Sequence, residues 1–136
     1  MRSLVIAGLL GATASAAFAA GHATPMVEAS DQPVDGGTVT AESVVAGQTG
    51  WLVVHRTDES MAPGPVVGHA PLKAGENRDV TAILTEEVAP GDMLMLMVHA
   101  EDGGMETGMF EYTLGASEDG PVRVDGDLVM TTITAR

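Results

Sequence analysis

The sequence contains no cysteine. A thiolate is therefore unavailable as a nucleophile, as a disulfide partner or as the Cys ligand that a blue-copper electron-transfer site requires. A G-x-S-x-G elbow, an H-E-x-x-H motif and a glycine-rich phosphate loop are also missing, and no spacing ties Ser43 or Ser60 to a histidine as a triad. These absences predict a protein that is not an enzyme and leave a hydrolase as a remote alternative.

Basic residues are scarce, because six Lys and Arg stand against 19 Asp and Glu, for a formal net charge of −13 at pH 7. Nucleic acids and anionic membranes are bound through Lys and Arg, so neither is expected as a partner. The partner, a protein or a small ligand, and the oligomeric state stay open at this stage. The acidity also agrees with a role in solubility or in adaptation to salt.

Long apolar runs are confined to the first residues. Arg2, the apolar stretch Leu4–Leu10 and the small-x-small motif Ala17-Phe18-Ala19 are typical of a secretory signal peptide. We therefore expect residues 1–19 to be cleaved and the protein to be periplasmic or secreted. No later segment approaches spanning length, so membrane insertion is not expected.

The rest of the chain alternates β-branched residues with Gly and Pro turns, which predicts an all-β fold. We expect an antiparallel sandwich of about seven strands, immunoglobulin-like or cupredoxin-like. Residues 20–36 are a lead-in with a candidate edge strand at 26–29, and 37–136 form a single domain. Strands are predicted near 38–45, 51–56, 66–69, 80–85, 93–100, 109–113 and 128–134. Pro65 and Pro71 should confine the third of these to a sheet edge, and residues 74–77 should form a turn.

Four segments carry a resemblance to a known family: DQPVDGGTVTAESVVAGQTGWLVVH, PGPVVGHAPLKAGENRDV, PGDMLMLMVHAEDGG and DGPVRVDGDLV. Together they resemble an uncharacterised family of exported β-sandwich domains of unknown function, over about residues 31–130. The resemblance implies an all-β fold and export, but no established activity. It also implies a His at the end of the first central strand, here His55, and a Met-x-His pair closing another, here Met97 and His99, followed by an acidic loop.

The strand MLMLMVHA is the sharpest chemical feature of the sequence. Side chains alternate along a strand, so three thioethers and an imidazole share one face, opposite a Leu and Val face suited to the core. Thioether sulfur suits Cu(I), and imidazole accepts Cu(I) or Cu(II). The alternatives are that the methionines fill core gaps or form an exposed partner-binding patch. The candidate copper ligands are Met93, Met95, Met97, His99 and His55.

A joint site for His55 and His99 depends on strand direction. If residues 66–69 form a real strand, simple alternation makes the two histidine strands antiparallel and sends the imidazoles to opposite ends of the sandwich. If that segment is a loop, the strands run parallel and the site becomes feasible.

Two further metal hypotheses concern other segments. Cleavage after Ala19 would place His22 third in the chain, where an amine, two backbone amides and an imidazole offer square-planar nitrogens to Cu(II) or Ni(II). The acidic loops 101–106 and 118–127 invite Ca²⁺, although neither has EF-hand spacing, and solvated turns are the alternative.

The sequence thus predicts a non-enzymatic, exported β-sandwich that acts as a binding or interaction module for an unidentified ligand. No cofactor is required by this interpretation. The alternative is a periplasmic copper-binding or copper-delivery protein that uses Met and His ligands without a blue-copper site.

Overall fold

The computed structural model describes residues 23–136, so the predicted signal segment and His22 lie outside the described part of the chain. The strands are β1 (Met26–Glu28), β2 (Thr38–Ala46), β3 (Gly50–Thr57), β4 (Val66–Leu72), β5 (Gly75–Leu84), β6 (Met93–Ala100), β7 (Arg123–Val124), β8 (Asp127–Leu128) and β9 (Met130–Thr134). The fold class is all-β, as the alternating pattern predicts. Across residues 23–136, no helix is long and apolar enough to cross a membrane.

Seven strands form one antiparallel sheet in the order β1-β2-β5-β4-β3-β6-β9, and β7 and β8 form a separate hairpin. The sheet rolls up until its two edge strands, β1 and β9, contact each other. A parallel bridge between Gln32 and Ala135 closes the gap just beyond these strands. The result is a flattened barrel, whose opposing halves pack like the two sheets of a sandwich.

The two faces of β3 and β6 have different neighbours. Leu52 and Val54 of β3 and Leu94, Leu96 and Val98 of β6 belong to the main core, where they meet residues from β2, β4 and β5. On the opposite face, which carries the alternate residues, the rings of Phe110 and Tyr112 pack against Trp51, His55 and His99. We call residues 101–120, which carry these two rings, the cover loop. This face is a second, smaller buried layer, and it contains both central histidines.

The prediction that proline confines β4 to an edge is wrong. β4 lies inside the sheet between β3 and β5. Its pairing with β5, however, extends only over Gly68 and His69, so at Pro71 the strand has a partner on the β3 side alone. Proline is tolerated where one side of a strand is unpaired, which describes this position even within an internal strand.

Two other local predictions also need correction. β5 begins at Gly75, so most of the expected turn at 74–77 is strand. Residues 109–113 form no strand and belong instead to the cover loop. Asp125 and Gly126 form the turn between β7 and β8, and both have positive φ, at 51° and 88°, as required in a two-residue hairpin.

Candidate functional site

His55 and His99 meet beneath the cover loop. Their Nε2 atoms lie 3.3 Å apart, the ring planes are inclined by 30°, and neither residue has exposed surface. β4 is a real strand and β3 and β6 run antiparallel, as that alternative assumes, but the two imidazoles meet instead of lying at opposite ends, so the expectation of separated histidines is wrong. In the register of β3 and β6, His55 and His99 lie four residues apart. Their side chains extend towards each other over Val53 and Met97, which are paired midway between them.

Each imidazole is held by a backbone carbonyl on its other nitrogen. The Nδ1 of His55 lies 2.8 Å from the oxygen of Gly64, and the Nδ1 of His99 lies 2.6 Å from the oxygen of Asp119. A carbonyl oxygen only accepts, so both Nδ1 atoms must carry the proton and donate. A neutral imidazole has one N–H, which leaves both Nε2 atoms as lone pairs that face each other.

Burial keeps this pair neutral. The pKa of His99 is lowered to about 4, mainly by desolvation and to a smaller extent by the charge of His55, while the hydrogen bond to the Asp119 carbonyl and the charge of Asp119 oppose the shift. Desolvation likewise lowers the pKa of His55, opposed by its bond to Gly64. Near neutral pH, two unprotonated nitrogens therefore converge in a site that excludes water. Such nitrogens are ready to accept a cation without first losing a proton.

The aromatic residues of the described chain gather around this pair. Tyr112 places its ring edge-on to His99 at 4.5 Å and to His55 at 6.0 Å. Phe110 stacks on His69 at a centroid distance of 4.4 Å and meets the edge of Trp51 at 5.5 Å. The indole of Trp51 donates to the carboxylate of Glu101 at 3.0 Å, which tethers the start of the cover loop.

Asp119 holds the other end of the cover loop. Its side chain has no exposed surface, and its carboxylate accepts the amides of Asp102 at 3.0 Å and of Glu111 at 2.8 Å. Its own amide donates to the carbonyl of Asp102 at 2.8 Å. The expectation of a solvated turn at this position is therefore wrong, because the carboxylate replaces water with loop amides.

The three methionines of β6 are buried to different degrees. Met95 and Met97 are buried, and Met93 is partly buried at the end of β6 remote from His99. Met95 lies opposite His55 across the strand pair, and Met97 lies opposite Val53, between the histidines. Because Met95 and Met97 are buried, an exposed Met patch on β6 is excluded.

The donor set fits a metal ion with two protein nitrogens. A tetrahedral ion with metal–nitrogen bonds of about 2.0 to 2.1 Å holds its nitrogens about 3.3 to 3.4 Å apart, close to the separation observed here. Metal-binding histidines commonly donate their second N–H to a backbone carbonyl, as both do here. Within residues 23–136, no three His, Asp or Glu side chains are grouped to hold a metal, so a third ligand at this pair would be of another kind, such as a thioether or an exogenous group.

The sequence alone does not identify several residues of the site. Phe110 and Tyr112 resemble a short strand in sequence, and Asp119 resembles one more solvent-facing acid in a loop rich in them. The turn Pro63-Gly64-Pro65 is evident from the sequence, but its role as acceptor for His55 is not. The clearest available signal is the scarcity of aromatics, at 3% of the chain, because two of them lie within an otherwise polar loop.

These features define a small all-β domain with a covered polar site over the middle of its central strand pair. Residues 25–136 match a domain of unknown function (DUF7282), and the chain belongs to that family. The resemblance to an uncharacterised family of such domains is thereby confirmed.

A curated relative is Cell surface glycoprotein 2 of Haloarcula hispanica, which is 33% identical over 107 residues. The match covers 78% of this chain and 11% of the relative, so the chain spans about a tenth of the length of the relative it matches. No solved structure shows significant similarity to the chain.

Proposed function

We propose that this chain is an exported, non-enzymatic β-sandwich module that binds a small ligand in the layer beneath its cover loop. Its similarity to part of a cell-surface glycoprotein supports a location outside the cytoplasm, secreted or at the surface. The acidic charge suits such a module for solubility, and the export signal in the sequence agrees with it.

The ligand we propose is a soft transition-metal ion, with Cu(I) first. The observation that carries the proposal is the 3.3 Å approach of two Nε2 lone pairs whose rings are each fixed by a carbonyl. Two facing lone pairs in a dry layer repel each other and lack the hydrogen bonds that buried polar atoms normally make. A cation bound to both nitrogens removes the repulsion and satisfies both lone pairs.

The preference for Cu(I) rests on the neighbouring sulfur. Met97 lies between the histidines in the strand register and is buried with them. A thioether is a soft ligand that favours Cu(I), whereas Zn²⁺ sites are completed by nitrogen, oxygen or thiolate. The site would carry or store the ion, because a cysteine-free chain has no blue-copper centre.

The test is a Cu(I) titration of the exported protein against a competing chelator, with His99→Ala beside it. We expect one ion per chain with a dissociation constant below about 1 μM, weakened about 100-fold or more in the variant. His69→Ala is the matched control, because His69 contacts the same aromatic cluster but lies outside the pair. Equal binding by all three proteins would contradict the proposal.

A second pair of variants separates sulfur ligation from packing. Met97→Leu and Met95→Leu each replace one buried Met of β6 by a residue of similar volume, at a stability cost below about 1.5 kcal/mol. We expect only Met97→Leu to weaken Cu(I) binding, by about tenfold. Binding of Cu(II) alone, unchanged in every variant, would instead point to the N-terminal site at His22.

A further inference from the structure

Asp119 makes contacts to the histidine pair and to the cover loop at the same time. Its carbonyl receives the Nδ1 proton of His99, at 2.6 Å. Its carboxylate receives two amides from separate parts of the loop, those of Asp102 and Glu111. The residue is fully buried and has φ of 47°, in the left-handed region where Asp is among the few non-glycine residues that occur readily.

The two amides lie on either side of the most exposed part of the cover loop. Asp102 lies two residues after the end of β6, and Glu111 lies between Phe110 and Tyr112, the two rings that pack over the histidines. Residues 102–109 between these anchors are exposed, with Met105 at 94%. The carboxylate of Asp119 therefore fixes the position of both aromatic rings relative to β6.

We infer that Asp119 is the positioning residue of the two-histidine site: its carbonyl orients His99 while its carboxylate keeps the cover loop closed, so that opening the loop and freeing His99 are one event. The effect of the loop on entry and exit of the ion rests on the proposed metal-binding function. Entry and exit of the ion require Tyr112 and Phe110 to move, and they move only when the carboxylate releases the loop amides.

The two roles of Asp119 can be separated by substitution. Asp119→Gly keeps the backbone carbonyl and adopts positive φ freely, but it removes the carboxylate from the loop amides. Asp119→Asn keeps the conformation and one accepting oxygen, and it replaces the second acceptor by a donor that cannot bind an amide N–H. Ser117→Gly is the matched control, because it adds glycine to the same loop at an exposed position and leaves the carboxylate in place.

The first readout needs no metal. Hydrogen exchange at the amides of Asp102 and Glu111, and modification of His55 and His99 by diethyl pyrocarbonate, both report opening of the loop. We expect about tenfold or greater acceleration of both in Asp119→Gly, a smaller effect in Asp119→Asn, and none in Ser117→Gly. Far-UV circular dichroism confirms that each variant is folded, because Trp51 contacts the cover loop and its fluorescence would also report loop opening.

The second readout is the rate at which a chelator removes Cu(I) from the loaded protein. We expect removal about tenfold faster in Asp119→Gly than in the wild type or Ser117→Gly, with a smaller change in equilibrium affinity. The inference would be overturned if Asp119→Gly matched Ser117→Gly in amide exchange, in histidine modification and in the rate of Cu(I) removal. If the wild type binds no Cu(I), the proposed function fails, and the metal-free readout alone decides whether Asp119 controls the loop.

Discussion

At the scale of single residues, the main feature is that both central histidines are kept neutral by burial and held in one tautomer by carbonyls. Their hydrogen-bond partners come from two different loops, at Gly64 and Asp119. Neither loop position is a side-chain ligand, yet both determine which nitrogen is left with a lone pair. Backbone atoms therefore determine which nitrogen of each ring carries the proton. Substituting the side chains that neighbour the histidines leaves these backbone atoms in place.

The lowered pKa of His99 predicts a pH dependence of stability. The unfolded histidine takes up a proton as the pH falls through 6.5, whereas the folded one resists it until about 4. The free energy of unfolding should therefore fall as the pH is lowered from 6.5 to 4, by about 3 kcal/mol from this group.

Denaturant unfolding at several pH values checks this, with His99→Gln as the comparison. Gln can still donate to the carbonyl of Asp119 but does not titrate, so the variant should lose less stability over the same window. Parallel pH profiles for the two proteins would show that His99 is not responsible for the dependence.

At the scale of elements, the close pairing of β3 with β6 brings the site together. Gly50 begins β3 against the end of β6, and a Cβ at this position would overlap the carbonyl oxygen of His99. The absence of a side chain at Gly50 thus permits the register that lets His55 and His99 converge.

We therefore expect Gly50→Ala to destabilise the fold by about 2 to 4 kcal/mol, because backbone must move to relieve the overlap. Gly36→Ala is the control, since a Cβ there meets nothing within 4 Å, and its effect should stay within about 0.5 kcal/mol. Unfolding free energies from urea titrations make the comparison. An equally mild effect at both glycines would mean that the backbones of β3 and β6 do not approach as closely at Gly50 as they do in this structure.

The strands that the sequence predicts well are those with a strong local pattern. β6 has the predicted bounds, because its eight residues are apolar and a Pro-Gly-Asp turn precedes them. Proline is a local signal that predicts an edge position for β4, whereas the place of this strand in the sheet depends on partners far along the chain. The meeting of His55 with His99 likewise depends on how far two side chains reach across a register, which no spacing along one strand reveals.

At the scale of the whole molecule, acidic charge dominates the surface. The described residues carry five Lys and Arg, and all 19 Asp and Glu of the chain lie among them. Only a few acids are paired, as Glu86 and Asp92 are with Arg56 and Glu76 is with Arg78. Most of the charge is therefore unopposed and repels itself across a small domain.

This self-repulsion predicts stabilisation by salt. Screening shortens the range of charge interactions from about 10 Å at 0.1 M to about 3 Å at 1 M, so the melting temperature should rise by roughly 5 °C or more over that range. Thermal unfolding in NaCl and in KCl checks it, and the two salts should act alike because screening depends on ionic strength. A melting temperature that does not change with either salt would contradict the electrostatic explanation.

Nitrogen NMR of the imidazole rings can show whether both histidines present Nε2 lone pairs to a shared ion. In the metal-free protein near neutral pH, we expect protonated Nδ1 and unprotonated Nε2 in both His55 and His99. Added Cu(I) should shift both Nε2 signals together while Nδ1 keeps its proton, and His69 should not respond. A protonated Nε2 on either ring of the metal-free protein, or Nε2 signals that ignore Cu(I), would contradict the account.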